Sequence, residues 1–426
     1  MKNIFLSAFL FFFIMNSASA QNKTENPKVM TGIEVLRSEH FKQLEGKRIG
    51  LITNATGVDH NLKSTIDILN RTKNVHLVAL FGPEHGIRGT ESAGKHVTGS
   101  VDPVTHLPVY SLYGKTRKPS KKMLKGLDAL VYDIQDIGVR SYTYISTLGL
   151  AMEAAANNGL EFYVLDRPDP LGGEKIEGSI VHRGYFSFVS EYPIPYVYGL
   201  TTGELARLIN NEGMLPGGKK CDLKVIKMKG WHRKMTFKDT GLPWVPTSPH
   251  IPHKDTPMYY VGTGILGELG VISEGVGYTL PFQMLAATWM DGMEVAHKMN
   301  ALHLPGVMFR PTTFKAYYGI HKGQILNGVQ VYIINYKKVN LMSLQFYLMQ
   351  INHELYPGKN PFKKASKSRI KMFDKVMGTS NIRKMFTKHF KYSDIRSYLN
   401  QDISSFKKLS EKYYLYDWRR IVNFLW

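Results

Sequence analysis

The apolar residues in the first half of the chain fall into short runs separated by segments with a helical spacing. Four runs are nearly continuous and contain β-branched residues, at positions 48–53, 75–81, 129–132 and 162–165. Such runs are typical of strands buried on both faces of a sheet. Between them, 64–69 and 142–157 have apolar residues at helical spacing, and Gly159 stands where a helix C-cap is expected. This alternation predicts an α/β domain with a Rossmann-like parallel sheet covered by helices on both faces.

The second half of the chain is less regular and predicts a smaller α+β domain. Glycine and proline are frequent over 242–282, which we interpret as long loops. We predict a helix over 202–211, capped by Thr201 or Thr202 and stopped by Gly213, and another near 341–355. Strands are predicted over 223–228 and 328–334, and a basic helical tail after 363. We place the α/β domain at 21–195 and the α+β domain at 196–426.

The first twenty residues have the pattern of a secretory signal peptide. Lys2 precedes an apolar run over 4–15, and small residues occupy 18–20. The run is too short to span a bilayer comfortably, and no later segment is long and apolar enough to do so. We therefore expect cleavage after Ala20 and a periplasmic or secreted mature protein without a transmembrane segment.

The charge and the cysteine content narrow the possible partners. Lys and Arg number 55 against 34 Asp and Glu, a formal net charge of +21. Such an excess favours polyanions. Since export argues against nucleic acid, an anionic envelope surface or carboxylate-rich peptidoglycan is the expected partner, and the alternative is that the lysines only solvate the surface. Cys221 is the single cysteine, which excludes an intrachain disulfide and a multi-cysteine zinc site.

A polar cluster follows each of the four predicted strands. In open parallel sheets, ligands bind outside the carboxyl ends of the strands, so these clusters are expected to share one edge. The candidate binding residues in them are Asn54 after the first strand, His85 and Arg88 after the second, Asp133, Gln135, Asp136, Arg140, Tyr142 and Tyr144 after the third, and Asp166 and Arg167 after the fourth.

Glu84 is the candidate catalytic residue, because it follows a buried strand on a short charged loop that contains three glycines. Partial removal from water would favour the protonated form that donates a proton to a glycosidic oxygen. His85 and Arg88 would then bind carboxylate and hydroxyl groups, while Tyr142 and Tyr144 would offer faces to a sugar ring.

Other readings of these residues remain open. Asp133 and Asp166 could instead cap helices or pair with Arg140 and Arg167, and His85 could be structural. Asp133, Asp136 and His85 could also form a metal site, although the chain contains no H-E-x-x-H motif. The first strand is not followed by G-x-G-x-x-G and no G-x-S-x-G occurs, so we expect neither a nicotinamide or flavin cofactor nor a serine nucleophile.

The same segments resemble the exo-β-N-acetylmuramidase family, formerly a domain of unknown function. They include GKRIGLITNATGVD (46–59), LVALFGPEHGIRG (77–89), DALVYDIQDIGVRSYTYISTL (128–148), VLDRPDPLGG (164–173) and LTTGELARLIN (200–210). The resemblance implies a Rossmann-like domain, a smaller C-terminal domain and a site in the cleft between them. It also implies release of terminal N-acetylmuramic acid from peptidoglycan fragments, with Glu84 as the catalytic glutamate and Glu268 in the site.

This chain departs from the family pattern on the C-terminal side of the expected site. His250 follows Ser-Pro where the family commonly has asparagine, and Val276 replaces an arginine in S-E-G-R-G. Tyr198 and Gln283 stand where R-H-G and P-F-E are usual. The departures keep open a non-catalytic peptidoglycan- or glycan-binding paralogue beside the glycosidase. Asp133, Asp136 and His85 keep open a metal-dependent hydrolase.

Overall fold

A computed structural model describes residues 28–88 and 100–416. The predicted signal peptide lies outside these residues. The first sheet has seven strands in the order β3-β4-β2-β1-β5-β6-β7. They are β1 Arg48–Thr53, β2 His76–Gly82, β3 Ser100–Val101, β4 Pro108–Ser111, β5 Ala129–Asp133, β6 Glu161–Leu165 and β7 Asp222–Ile226.

Every pair of neighbouring strands in this sheet is parallel except the edge pair β3–β4. The prediction of a Rossmann-like parallel sheet is therefore confirmed. β1 and β5 lie at its centre, where Ile49, Leu51, Leu130 and Val131 are fully buried, as the continuous apolar runs require. β7 follows residue 195, so the sheet continues beyond the predicted domain boundary.

Four helices in the described part of the chain pack against this sheet. They are α1 Gly32–Ser38, α2 Thr65–Asn70, α3 Tyr144–Asn158 and α4 Thr202–Asn211. α3 ends at Gly159, whose φ of 67° is the left-handed C-cap that the sequence predicts. α4 begins at a capping box in which Thr201 and Glu204 each bond the other's backbone N–H, so the predicted N-terminus of this helix is confirmed as well.

The second, smaller domain contains an antiparallel sheet in the order β8-β10-β9. Its strands are β8 Met284–Ala287, β9 Val307–Lys315 and β10 Ile325–Ile333. Its helices are α5 Thr256–Gly267, α6 Gly292–Ala301, α7 Ser343–Leu355, α8 Pro361–Lys364, α9 Lys367–Met377, α10 Asn381–His389, α11 Ser393–Asn400 and α12 Ile403–Ser410. The fold class predicted from the sequence is thus confirmed.

One prediction for this part of the chain is wrong. Residues 242–282 are not loops throughout, because α5 occupies Thr256–Gly267. Its glycines and Pro257 imitate a loop composition, yet the proline lies in the first turn, where a missing N–H costs nothing. Val261, Ile265 and Leu266 bury a helical stripe in the core of the second domain.

The C-terminal segment folds back onto the first sheet. Phe406 and Tyr413 join the core that covers one face of that sheet. The hydroxyl of Tyr416 donates to Oδ2 of Asp166, 2.5 Å away at the end of β6. Among the described residues, no helix combines the length and apolarity that crossing a membrane would require.

Candidate active site

Glu84 lies on a tight turn that directly follows β2. The N–H of Gly86 donates to the carbonyl of Pro83 over 3.0 Å, which closes the turn. His85 has a φ of 72° and Gly86 a φ of 73°. A positive φ is unfavourable for a residue with a β-carbon, and such conformations concentrate at functional sites. The turn leaves the side chain of Glu84 half-buried.

Two hydroxyl groups hold the carboxyl of Glu84. Oγ1 of Thr143, at the N-cap of α3, donates to Oε2 of Glu84 over 2.8 Å. The hydroxyl of Tyr113, which follows β4, also bonds this carboxyl. Burial raises the pKa of Tyr113 to about 12, and the bond and negative charge of Glu84 contribute to the rise. The carboxyl therefore lies at the N-terminus of α3, which carries a partial positive charge. It is held by one residue at the start of this helix and by another that follows β4.

Three tyrosines form a wall beside Glu84. The ring of Tyr142 lies 4.8 Å from that of Tyr144 and 6.2 Å from that of Tyr260, in edge-on arrangements. Burial raises the pKa of Tyr144 and of Tyr260, and in both cases the charge of Glu84 contributes. Tyr144 is 1% exposed and bonds the carbonyl of Thr247, so its ring offers no free face to a sugar, which corrects that expectation.

Two carboxylates of the second domain, Glu268 and Glu274, lie at the C-terminal end of α5. Glu268 caps the C-terminus of α5, and its charge also contributes to the raised pKa of Tyr260. Burial raises the pKa of Glu268 itself. Burial raises the pKa of Glu274 to about 7, and the charge of Glu268 adds to the effect. Tyr260 is thus near enough to Glu84 of one domain and to Glu268 of the other for both charges to raise its pKa.

His250 brings a further segment of the second half to the Glu84 turn. Burial lowers the pKa of His250, and the charge of His85 lowers it further, which places the two imidazoles close to each other. The ring of His250 also stacks on Tyr318, with centroids 5.8 Å apart and an angle of 15° between the planes. The sequence identified His250 only as a departure from a family pattern.

The guanidinium of Arg88 bonds a carboxylate of its own domain. Its Nε and one terminal nitrogen donate to the two carboxylate oxygens of Asp102 over 2.9 and 3.0 Å. Asp102 is 1% exposed and precedes β4, so this fork clamps the segment after Glu84 to the edge of the sheet.

Three other candidates at the strand ends are buried and bonded within the fold. Asp133 forms an ion pair with Nε of Arg167 at 2.5 Å and accepts a bond from Thr65. Asp166 accepts bonds from Thr201 and from the backbone N–H of Gly203. Asp133 and Asp166 are 0% exposed, so these contacts correct the expectation that both meet a substrate directly. They hold helices and loops on the sheet instead.

Arg140, Asn54, Gln135 and Asp136 are buried as well. Arg140 is 0% exposed and donates to main-chain carbonyls. Asn54 accepts a bond from the N–H of Thr56, and Gln135 donates to the carbonyl of Asp136. A cavity of about 20 Å³ beside Gln135 has room for about one water molecule and none for a sugar ring. The exposed or half-buried members of the predicted site are Glu84, His85, Arg88, Tyr142 and Glu268.

The metal alternative receives no support from the part of the chain that the structure describes. There, no group of three or more His, Cys, Asp or Glu side chains is arranged to hold a metal ion. In particular, Asp133 is occupied by Arg167, and Asp136 accepts bonds from Gly138 and Tyr198.

Comparisons with known proteins match both halves of the chain. The model described as exo-β-N-acetylmuramidase NamZ, N-terminal, matches residues 49–255, and its C-terminal counterpart matches 258–416. The peptidoglycan β-N-acetylmuramidase NamZ of Bacillus subtilis (strain 168) is 43% identical over 417 residues, which are 97% of this chain and 98% of that protein.

Two solved structures from Bacteroides fragilis NCTC 9343 are also similar, and both are described as DUF1343 family proteins. One has a TM-score of 0.88 and 56% identity, covering 92% of this chain and 99% of that one. The other has a TM-score of 0.73 and 30% identity, covering 91% of this chain and 99% of that one.

Proposed function

The chain belongs to the exo-β-N-acetylmuramidase NamZ family, and we propose that it is an exo-acting glycoside hydrolase that releases terminal N-acetylmuramic acid from peptidoglycan fragments. Two family models together match most of the chain, and the similarity to the Bacillus subtilis muramidase spans nearly the whole length of both proteins. The enzyme thus acts in cell-wall turnover or recycling.

The observation that carries the chemistry is the fixed, half-buried carboxyl of Glu84. Hydrolysis of a glycosidic bond needs an acid that protonates the leaving oxygen as the bond to the anomeric carbon breaks. Glu84 is that acid in our proposal. The hydroxyls of Thr143 and Tyr113 orient its carboxyl. The strained turn at His85 holds the side chain of Glu84 just beyond the carboxyl end of β2.

The opposite wall of the site supplies the remaining contacts. The charges of Glu84 and Glu268 both raise the pKa of Tyr260, so a carboxyl group from each domain lies near this tyrosine, and Glu274 lies near Glu268. In our proposal Glu268 contacts the substrate, His85 binds its hydroxyl and carboxylate groups, and the half-buried Tyr142 offers its ring to the sugar. Arg88 acts indirectly, because its bonds to Asp102 hold the segment that carries Glu84.

The proposal is tested by measuring the release of free N-acetylmuramic acid from a disaccharide with muramic acid at its non-reducing end. The unsubstituted protein should release it, and Glu84→Gln should reduce kcat by about a hundredfold or more, since the amide cannot donate a carboxylic proton. Glu45→Gln is the matched control, because Glu45 is an exposed glutamate of the same domain. Thermal melting shows that each variant is folded.

Full activity in a folded Glu84→Gln variant would refute the assigned acid. Binding of the disaccharide without release by the unsubstituted protein would instead identify a glycan-binding paralogue. Loss of release after treatment with a chelator would favour the metal-dependent alternative.

We also propose that the protein works outside the cytoplasm. The support is the basic start, apolar run and small residues of positions 1–20. The mature protein, purified from a periplasmic or secreted fraction, should begin at Gln21. An intact N-terminus on protein recovered from the cytoplasm would contradict the proposal.

A further inference from the structure

Two exposed tyrosines occupy the turn that joins β9 to β10. Tyr317 is 65% exposed and Tyr318 is 46% exposed, and Ile320 beside them is 56% exposed. Single exposed apolar residues are common on protein surfaces, whereas adjacent exposed aromatic rings more often mark a binding surface. We call Tyr317 and Tyr318 the aromatic platform.

The aromatic platform is held in place by the loop that precedes β8. The N–H of Tyr317 donates to the carbonyl of Gly277 over 2.7 Å. The ring of Tyr317 lies nearly parallel to that of Tyr278, at 13°, with centroids 6.3 Å apart. The rings are therefore oriented before any ligand binds, which lowers the entropic cost of binding.

The platform is continuous with the candidate active site. Tyr318 stacks on His250, and the pKa of His250 is lowered by burial and by the charge of His85. His85 is the residue next to Glu84 in the turn after β2. The segment of His250 also meets the tyrosine wall, because the hydroxyl of Tyr142 donates to Oγ1 of Thr247 over 2.7 Å. Aromatic rings thus connect the surroundings of the catalytic acid, through His250, with the exposed turn.

We propose that the aromatic platform binds sugar units on the leaving-group side of the cleaved linkage, an inference that rests on the function proposed above. An exo-acting enzyme accepts one terminal sugar in its inner site, so the remainder of the glycan must run from the acid towards solvent. The rings of His250 and of the aromatic platform provide such a path. Sugars present apolar C–H faces that pack on tyrosine rings, and tyrosine hydroxyls can bond their hydroxyl groups.

The proposal predicts that Tyr318 contributes to the binding of long fragments and not to the binding of the terminal sugar. Calorimetric titration is carried out in the Glu84→Gln background, which prevents turnover, with N-acetylmuramic acid and with a muramic-acid-terminated tetrasaccharide. Tyr318→Ala should weaken tetrasaccharide binding by about fivefold to tenfold, as expected for the loss of one stacked ring. Binding of the monosaccharide should stay unchanged.

Tyr332→Ala is the control variant. Tyr332 is 41% exposed on the same hairpin, but it pairs with Met308 at the far end, about 23 Å along β10 from Ile325. This control should bind the tetrasaccharide with unchanged affinity. Unchanged tetrasaccharide binding by Tyr318→Ala would overturn the proposal, and so would an equal loss for both ligands, which would indicate a distorted site.

The outcomes separate this inference from the proposed function. If the unsubstituted protein releases no N-acetylmuramic acid but tetrasaccharide binding still depends on Tyr318, the glycosidase proposal fails and the platform stands. If release occurs and binding is independent of Tyr318, the platform fails alone. Absence of tetrasaccharide binding to the folded Glu84→Gln protein would overturn the platform.

Discussion

One of the two hydroxyl groups that hold the carboxyl of Glu84 belongs to Thr143, and it can be deleted almost without changing the shape of the threonine side chain. Thr143→Val removes the donor that lies 2.8 Å from Glu84. Because Thr143 makes no side-chain bond to cap α3, the helix itself should be unaffected. We expect kcat to fall about fivefold to tenfold with little change in KM, since one hydrogen bond contributes about 1 kcal/mol and this one orients the acid.

Steady-state kinetics on the disaccharide tests this role of Thr143. Thr143→Ser retains the hydroxyl and should recover most of the lost rate. A rise in KM at constant kcat would show that Thr143 binds substrate instead of positioning the acid.

The buried carboxyl of Asp136 should make the stability of the protein depend on pH. Burial raises its pKa from the ordinary 3.8 to about 6, although Oδ2 accepts bonds from Gly138 and Tyr198. Its Oδ1 has no hydrogen-bond partner within the described residues. Since the pKa is raised in the folded state, the contribution of this group is greatest below about pH 4 and is lost as the pH rises through about 6.

The measurement is urea unfolding of the unsubstituted protein and of Asp136→Asn between pH 4 and pH 7.5. The amide stays neutral, so the free energy of unfolding of the variant should rise by about 2.5 kcal/mol relative to that of the unsubstituted protein between pH 4 and pH 7.5. The difference between the two proteins isolates Asp136 from the other titrating groups. Two parallel curves would show that the pKa of Asp136 is the same in the folded and the unfolded protein, which would contradict the raised pKa.

At the scale of elements, the first domain could be predicted well because its strands are buried on both faces. A central parallel strand must be a continuous apolar run, and the run at 48–53 coincides with β1 at both ends. The helices between the strands carry local signals, such as Gly159 after α3 and Thr201 before α4. These signals act within a few residues of one another and can be read without knowledge of the fold.

The second domain was harder to predict because its elements depend on distant contacts. Three glycines in α5 suggested a loop, yet a β-carbon at Gly262 would come within 3.1 Å of Leu344 on α7. The glycine therefore permits close packing of two helices. β9 contains Pro311 and alternates exposed with buried residues, as an edge strand can, so no apolar run marks it.

The candidate site could be predicted in its location but only partly in its members. The expectation that ligands bind outside the carboxyl ends of parallel strands led to Glu84. It could not show that Asp133 forms an ion pair with Arg167. That pairing depends on side-chain directions at two strand ends. Tyr113 and Thr143 were missed for a similar reason, because they reach Glu84 from other elements and no motif links them to it in the sequence.

At the scale of the whole molecule, a buried arginine joins segments that are far apart in the sequence. Arg140 donates to the carbonyls of Ser179 and Ile194 over 2.7 Å and to that of Val376, at the end of α9, over 2.8 Å. Burial lowers the pKa of Arg140 to about 10, so the charge depends on these carbonyls for stabilisation. The third bond connects the loop after β5 with the helices of the second domain, and this loop leads directly to Thr143 and the tyrosine wall.

Arg140→Lys should therefore weaken both stability and catalysis although it preserves the charge. One ammonium group cannot reach three carbonyls arranged for the guanidinium fork, and we expect the free energy of unfolding to fall by about 3 kcal/mol. Urea unfolding measures this loss, and Arg310→Lys is the control, because Arg310 is exposed and bonds the side chain of Gln330. Equal stability of the two variants would contradict the role given to Arg140. Because the arginine fixes the loop that carries Thr143 relative to the second domain, kcat of the folded Arg140→Lys protein should also fall while that of Arg310→Lys stays unchanged.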